Sequence, residues 1–190
     1  MNYVVGFDLS LTAPAAVALP VNWKPGDWRA AKSWLLRPTA PKTDDVGGQL
    51  VRYEEISTWV CNIASRSLGK IEGVWVEQYA FSKNNAGASR LYELGGIVRM
   101  ALYQQRGIVA QTVNTSQARC VLLGTLAGIP KGGQKIEVQS ALFAAGAPPT
   151  YEENQCDAFC CANYALSEVG GVALMCHREP TKNPKKKVAR

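Results

Sequence analysis

The chain has 190 residues, 47% of them hydrophobic and 19% charged, which is long enough for one domain with a substantial core. No apolar run approaches the roughly 18 residues that a membrane span requires, which disfavours a membrane protein. The six cysteines form no CxxC pair, so neither a zinc site nor a disulfide framework is indicated. We therefore expect a soluble, cytoplasmic protein, and its net charge of +6 at pH 7 favours a polyanionic partner, with nucleic acid the first candidate.

The first part of the chain predicts an antiparallel meander of three strands. Residues 3–12 are a nearly continuous apolar run interrupted by one carboxylate, which is typical of a strand buried on both faces. Residues 15–23 and 30–37 are also compatible with strands, and the turn-forming residues 24–27 separate them.

The rest of the chain alternates between helices and strands. Apolar residues recur at helical spacing from about residue 49 to 67, and a fourth strand is expected over 71–77. A helix over 88–106 and a strand over 108–113 follow. Three further helices are expected to end near Leu123, to cover 134–145 and to cover 152–167.

This order of elements predicts an α/β fold of the ribonuclease H-like class. Three antiparallel strands followed by two parallel strands would form a five-stranded mixed sheet flanked by helices. We expect this domain to span residues 1–176, and the lysine-rich residues 177–190 to form a basic, flexible tail.

Two of the predicted strands end in a carboxylate. Asp8 closes the first strand and Glu77 closes the fourth, and in a ribonuclease H-like sheet these strands are neighbours. A buried carboxylate without a partner is costly, so Asp8 requires a proton, a basic side chain or a bound cation. Asp157 lies in the last predicted helix and adds a third acid to the group.

Two neighbours on the last helix extend this group. Glu153 is four residues and Asn154 three residues before Asp157, so either one shares a helical face with it. Oxygen ligands without histidine or thiolate pairs suit Mg²⁺ or Mn²⁺, and two such ions can clamp a phosphodiester for attack by water. The same residues would also be explained if Glu77 and Glu153 were ordinary surface acids and Asp8 capped a turn.

Three short motifs carry a resemblance to a known family. They are Gly6-Phe7-Asp8, then Val76-Glu77-Gln78 followed by Lys83-Asn84, and finally Asn154-Gln155-Cys156-Asp157-Ala158. With these motifs in this order, the chain resembles the RuvC family of Holliday junction resolvases. Members of that family have a ribonuclease H-like fold, act as homodimers and nick four-way DNA junctions symmetrically with divalent metal.

The resemblance implies the residues of a metal site. It carries over Asp8, Glu77 and Asp157 as catalytic residues and as ligands of two Mg²⁺ ions, for which Mn²⁺ is expected to substitute. The family usually has Asp or His at the position of Asn154, so the fourth ligand is either Asn154 or the preceding Glu153. We favour Glu153, because a carboxylate neutralises more charge than an amide.

The resemblance also implies a DNA-binding surface. An aromatic residue after the fourth strand would stack on unpaired bases at the junction centre, and Phe81 fits this role better than Tyr79, which lies closer to the strand. Basic side chains would hold phosphates. They are Lys83, Arg119, Lys131 and Lys135. Solvated surface charges, or for Arg119 a contact with a neighbouring helix, would explain the same residues.

The predicted helix over 88–106 carries apolar residues and a Gly95-Gly96 pair that would allow another helix to approach closely. In the family this helix forms much of the dimer interface, so the resemblance implies a homodimer. Packing of the helix on the protein's own sheet would explain the same pattern equally well.

We therefore expect a crossover junction endodeoxyribonuclease that acts on branched DNA. A related nuclease acting on other branched DNA or on RNA–DNA hybrids fits the same carboxylates. A non-catalytic junction-binding module and an actin-like phosphotransfer domain are also compatible with parts of the sequence. The phosphotransfer fold normally needs two such domains, and this chain supplies one.

Overall fold

Most of the predicted domain is defined in a computed structural model of the protein. It describes residues 1–43, 45–65, 68–78, 86–130 and 132–176, except for the side chains of 86 and 87. The strands are β1 (Asn2–Asp8), β2 (Ala15–Pro20), β3 (Lys32–Leu35), β4 (Lys70–Gln78) and β5 (Gln111–Asn114). The helices are α1 (Val46–Ile63), α2 (Ala86–Arg106), α3 (Thr115–Leu123), α4 (Gln134–Ala144) and α5 (Glu153–Glu168).

The five strands form one mixed sheet in the order β3-β2-β1-β4-β5. β1 pairs antiparallel with β2, and β2 pairs antiparallel with β3, whereas β4 lies parallel to both β1 and β5. The predicted five-stranded sheet and the predicted adjacency of the first and fourth strands are therefore confirmed. Because β1 and β4 are parallel, their carboxyl ends meet at the same edge of the sheet.

Several strand boundaries differ from the prediction: β2 and β3 are shorter than predicted, β4 is longer by one residue at each end, and two further boundaries have an identifiable cause. β1 ends at Asp8 rather than at residue 12, because the Ser10 hydroxyl accepts hydrogen bonds from the backbone N–H groups of Thr12 (3.2 Å) and Ala13 (3.3 Å) and closes a turn. β5 begins at Gln111 rather than at residue 108, which is where its pairing with β4 begins.

The first helix is also shifted from its predicted position, toward the N-terminus of the chain. It begins at Val46 rather than near residue 49, because the Asp45 side chain accepts a hydrogen bond from the backbone N–H of Gly48 and caps the helix. It ends at Ile63 rather than near residue 67. Local capping, which periodicity does not report, sets the start of this helix.

Side chains of β1 alternate between two hydrophobic cores, one on each face of the sheet. Val5 and Phe7 pack in the core beneath α1 and α2, whereas Val4 packs in the core beneath α3, α4 and α5. Gly6 and Asp8 follow Val4 at the same two-residue period. Asp8 therefore belongs to the face of the sheet that α5 covers.

Helix α5 crosses close over β1 at Gly6. A methyl group on Gly6 would lie 2.2 Å from the backbone N of Ala162 and 2.4 Å from the backbone O of Ala158. Only a residue without a Cβ allows the helix to approach the strand so closely. This approach brings Asp157, near the start of α5, to the face of the sheet that carries Asp8.

The six cysteines are free thiols, and four of them are buried. None of the helices in the described ranges has the length and apolar character needed to cross a membrane. The predicted basic tail, 177–190, lies outside the described residues, so the domain boundary at 176 stays a prediction.

Candidate functional site

A cleft of about 410 Å³ opens at the edge of the sheet where β1 and β4 end. Its wall includes residues 9–12, which form the loop after β1. Five charged or amide side chains also line it: Asp8, Lys42, Glu77, Lys135 and Asn154. Four of these five were predicted site residues, and Lys42 was missed because it lies in an irregular loop without a recognisable motif.

The Asp8 and Glu77 carboxyl groups meet where β1 and β4 end. Asp8 is 6% exposed, and its carboxyl group hydrogen-bonds with that of Glu77. Burial raises the pKa of Asp8 well above its usual value, and the negative charges of Glu77 and Asp157 raise it further. Two carboxyl groups in such contact share a proton unless a cation takes its place.

Helix α3 contributes a residue that the sequence did not assign to the site. The Thr115 hydroxyl donates a hydrogen bond to Glu77 Oε1. Thr115 is held at the end of β5, beside β4, because the Asn114 side chain caps α3 through the Ser116 N–H at 2.8 Å. The sequence Asn-Thr-Ser predicts a helix cap here, but it indicates nothing about the contact with Glu77.

Asp157 is held by Arg119 in a buried ion pair. The guanidinium donates through Nη2 to Oδ1 at 2.9 Å and to Oδ2 at 3.0 Å, and through Nε to Oδ1 at 3.1 Å. The two side chains are 8% and 4% exposed. Burial raises the pKa of Asp157, although the charge of Arg119 opposes this shift. Arg119 thus contacts a neighbouring helix, which was one of the two interpretations of its sequence position.

Lys135, near the start of α4, lies among the acids. Its Nζ pairs with Glu153 Oε1 and lies 3.6 Å from Asp157 Oδ2. Burial lowers the pKa of Lys135, but the hydrogen bond to Glu153 and the charges of Asp157 and Asp8 outweigh burial, so the pKa is raised. Because 44% of the side chain is exposed, the ammonium group partly neutralises the acids and still faces the cleft.

The two candidates for a fourth ligand occupy different positions. Asn154 lies in the wall of the cleft, and its Nδ2 donates to the carbonyl oxygen of Ala13 at 2.5 Å. The Glu153 side chain is 57% exposed and is paired with Lys135. The structure therefore places Asn154 in the wall of the cleft. The sequence analysis favoured Glu153 as the fourth ligand, because Glu153 carries a negative charge and Asn154 does not.

The Asp8–Glu77 pair fits a hard divalent cation. It offers carboxylate oxygens from two strands, and such oxygens suit Mg²⁺ or Mn²⁺. Asp157 differs from this pair in that both of its carboxylate oxygens accept hydrogen bonds from Arg119. Across the described ranges, no three or more His, Cys, Asp or Glu side chains are grouped so as to hold a metal ion.

Four of the predicted DNA-contacting residues lie outside the described residues. They are Tyr79, Phe81, Lys83 and Lys131. Their roles stay predictions, and of the predicted basic contacts Arg119 and Lys135 are described.

Similarity to known proteins is found at the level of structure. No protein-family model matches the chain, and no curated protein matches it. The structure of T. thermophilus RuvC in complex with a Holliday junction substrate matches with a TM-score of 0.61 and 18% identity, over 90% of this chain and 97% of that chain. Another structure of Thermus thermophilus RuvC matches with a TM-score of 0.59 and 22% identity, over 89% of this chain and 97% of that chain.

A viral resolvase is a more distant neighbour. The Fowlpox virus resolvase, in complex with Holliday junction DNA, matches with a TM-score of 0.46 and 12% identity, over 88% of this chain and 98% of that chain. The two RuvC matches, by contrast, cover nearly the whole domain, and at their low identities they establish the fold alone. The protein therefore has the ribonuclease H-like fold in the form found in RuvC.

Proposed function

We propose that the protein is a divalent-metal-dependent, structure-selective endonuclease that resolves four-way (Holliday) DNA junctions by paired symmetric nicks. The observation that carries this proposal is the contact between the buried Asp8 carboxyl group and the partly exposed Glu77 carboxyl group, with Asp157 nearby, where β1 and β4 of a RuvC-like sheet end. Burial and neighbouring negative charges raise the pKa of Asp8, and a carboxyl group with such a shift is typical of sites that bind cations or transfer protons. The net charge of +6 adds a general attraction for DNA.

The proposed cofactor is Mg²⁺, with Mn²⁺ able to substitute, and the sequence expectation is two ions. When bound, such ions would polarise the scissile phosphodiester and activate the attacking water. Asp8 and Glu77 would hold the metal, which would take the place of the proton that the raised pKa of Asp8 favours. Asp157 and either Glu153 or Asn154 complete the proposed ligand set.

The surrounding residues have proposed roles of their own. Thr115 orients the Glu77 carboxylate through its hydrogen bond. Lys135 lines the cleft, and its partly exposed cationic side chain suits contact with a phosphate oxygen. Further phosphate contacts are proposed for Lys83 and Lys131, and stacking on junction bases for Phe81 or Tyr79. Arg119, the other basic residue predicted to hold a phosphate, is buried and its guanidinium is engaged by Asp157 and Gln134.

A panel of labelled substrates tests the proposal. Wild-type protein is incubated with a four-way junction, a linear duplex, a fork and an RNA–DNA hybrid, with Mg²⁺ or with EDTA. Paired symmetric nicks in the four-way junction, dependent on Mg²⁺ and absent from the duplex, are expected. Preferential cleavage of the fork or of the RNA–DNA hybrid would contradict junction resolution and would support the alternative, a related nuclease that acts on those substrates.

A non-catalytic junction-binding module is the second candidate. It is favoured by one specific observation, the ion pair that engages both oxygens of Asp157. Tight binding of the four-way junction without nicks, in either Mg²⁺ or Mn²⁺, would support this module over the enzyme.

A further inference from the structure

The oxygens of Asp157 have little capacity left for a metal ion. An ionised carboxylate offers about four acceptor positions. Arg119 fills three of them with N–H donors at 2.9, 3.0 and 3.1 Å. Lys135 Nζ lies 3.6 Å from Oδ2, so a second cationic side chain faces the same carboxylate.

Burial makes this arrangement persistent. The Arg119 and Asp157 side chains are 8% and 4% exposed, so water has little access to compete for the ion pair. The third nitrogen of the guanidinium is also engaged, since Nη1 donates to Gln134 Oε1 at 3.2 Å. Arg119 is thus fixed at both ends of its guanidinium, in contact with Asp157.

The charges of the site balance with a single divalent cation. Four carboxylates, Asp8, Glu77, Glu153 and Asp157, are matched by the two cationic side chains in ion pairs at the site, Arg119 and Lys135. Lys42 lines the same cleft but forms no ion pair with these acids among the described residues, so it is not counted here. Two negative charges are left over, and they belong to the Asp8–Glu77 pair, which has no cationic side chain in direct contact among the described residues. One divalent cation neutralises them.

We propose that Arg119 takes the place of a second metal ion beside Asp157, so that the DNA-free protein holds one divalent cation per chain, between Asp8 and Glu77. Arg119 is then a positioning residue that fixes the metal stoichiometry. A second ion binds beside Asp157 only if the ion pair with Arg119 opens. This inference rests on the proposed metal dependence and concerns binding in the absence of DNA.

Titration with Mn²⁺, followed by the electron paramagnetic resonance signal of the free ion, tests the proposal without any cleavage reaction. Wild-type protein is expected to bind one Mn²⁺ per chain, and Asp8→Asn is expected to lose this site. Asp157→Asn is expected to keep it with nearly unchanged affinity, because Asp157 does not contact the ion. Loss of a true ligand would instead weaken binding by at least about tenfold.

A variant that removes the arginine charge completes the test. Arg119→Met is expected to bind a second Mn²⁺ per chain, and adding Asp157→Asn to it should abolish that second site. Circular dichroism verifies that this variant is folded. Where it is not, the wild-type stoichiometry and the affinity of Asp157→Asn decide the question.

Three results would each overturn the proposal. The wild-type protein could bind a number of Mn²⁺ ions per chain other than one, or Asp157→Asn could bind Mn²⁺ at least about tenfold more weakly than the wild type. The third is a folded Arg119→Met variant that still binds only one Mn²⁺ per chain. The proposed endonuclease activity fails separately, by the absence of nicks in junction DNA. A protein that binds one Mn²⁺ and cleaves nothing would refute the proposed function and leave the role of Arg119 intact.

Discussion

Asp8 is a buried carboxyl group whose surroundings favour its protonated form. Burial is the main cause of its raised pKa, and the neighbouring charges of Glu77 and Asp157 add to it. Such a group binds a proton more tightly in the folded protein than in the unfolded chain, so it stabilises the fold at low pH. This stability is lost as the pH rises from about 4 through the raised pKa.

We expect Asp8→Asn to be more stable than the wild-type protein in EDTA at neutral pH, by about 1 kcal/mol or roughly 2–4 °C in Tm. The amide removes a buried negative charge but keeps the shape of the side chain. Because wild-type Asp8 becomes protonated at low pH, the difference in Tm should shrink as the pH falls toward 4. Thermal unfolding followed by circular dichroism across this pH range measures it.

Magnesium provides the control for this prediction. A ligand that binds only the folded state raises its Tm, so Mg²⁺ should stabilise the wild-type protein and leave Asp8→Asn unchanged. A Tm difference between the two proteins that is constant from low to neutral pH would contradict the assignment of the raised pKa to Asp8.

The Arg119–Asp157 ion pair predicts a large loss of stability when one partner is removed. Arg119→Ala leaves Asp157 as a buried, weakly compensated charge, and we expect a loss of about 3–5 kcal/mol in the free energy of unfolding. Arg37→Ala is the matched control, because Arg37 pairs with Glu152 at the surface, with side chains 60% and 49% exposed. Its loss should stay below about 1 kcal/mol.

Urea unfolding of both variants measures these free energies. Similar small losses for Arg119→Ala and Arg37→Ala would show that the buried pair does not hold α3 against α5.

At the scale of elements, the contact between β1 and α5 sets the distance between the acids. Asp8 lies two residues after Gly6 on β1, and Asp157 directly precedes Ala158, the residue whose backbone O approaches Gly6. A displacement of α5 away from the strand would therefore separate Asp157 from Asp8. The packing and the site depend on the same glycine.

Gly6→Ala is expected to lower the free energy of unfolding by at least about 2 kcal/mol, because the methyl group meets backbone atoms that cannot move independently. Gly47→Ala is the control, since its Cβ would meet only the Asp45 side chain, at 3.3 Å. Its effect should stay within about 1 kcal/mol. Urea unfolding compares the two, and a wild-type stability for Gly6→Ala would show that the close approach is not needed.

The arrangement of the elements was predictable because it depends on repeating patterns. Apolar runs with a terminal carboxylate located β1 and β4, and the rules for connecting strands made them neighbours. The ends of the elements were less predictable, because single side chains determine them. Ser10 closes the turn after β1, and Asp45 caps α1, and neither interaction has a periodic signal.

The sequence predicted several of the residues that line the cleft, but it did not predict which of the charged side chains pair with one another. Asp8, Glu77 and Asn154, three of the predicted site residues, line the cleft where β1 and β4 end. The pairing of Arg119 with Asp157 joins residues 38 positions apart and depends on how α3 and α5 pack against each other. Helical periodicity identifies the buried face of each helix, but it does not specify which side chains meet across the contact.

At the scale of the whole molecule, the outer face of α2 is the candidate interface of the predicted homodimer. The inner face of the helix packs in the protein's own core through Leu94, Val98 and Leu102, so this part of the apolar pattern needs no second chain. Met100 and Tyr103 are 56% and 61% exposed and lie three residues apart on the outer face. We propose this exposed apolar surface as the contact with a second copy of the chain.

We expect the wild-type protein to sediment as a dimer and the double variant Met100→Glu, Tyr103→Glu to sediment as a monomer, because two charges at the contact oppose association. Ile136→Glu is the control, since Ile136 is 68% exposed on α4, across the sheet from α2. Analytical ultracentrifugation measures the three proteins. A wild-type monomer at micromolar concentration, or a dimer that persists in the double variant, would exclude α2 as the interface.

The proposed activity is cleavage of junction DNA that depends on a divalent metal. It requires the carboxylates at the ends of β1 and β4, which would bind that metal. The most direct test compares Asp8→Asn with Asp27→Asn on a labelled four-way junction in Mg²⁺. Asp27 is exposed and follows β2 beyond Pro20, which pairs with Tyr3 at the opposite end of β1 from Asp8. The two variants therefore make the same chemical change inside and outside the proposed site.

Asp27→Asn is expected to nick the junction at the wild-type rate. Asp8→Asn is expected to bind the junction but to lose cleavage by at least about a thousandfold, as when a group needed in the transition state is removed. Cleavage by Asp8→Asn at the wild-type rate would contradict a catalytic role for the carboxyl pair.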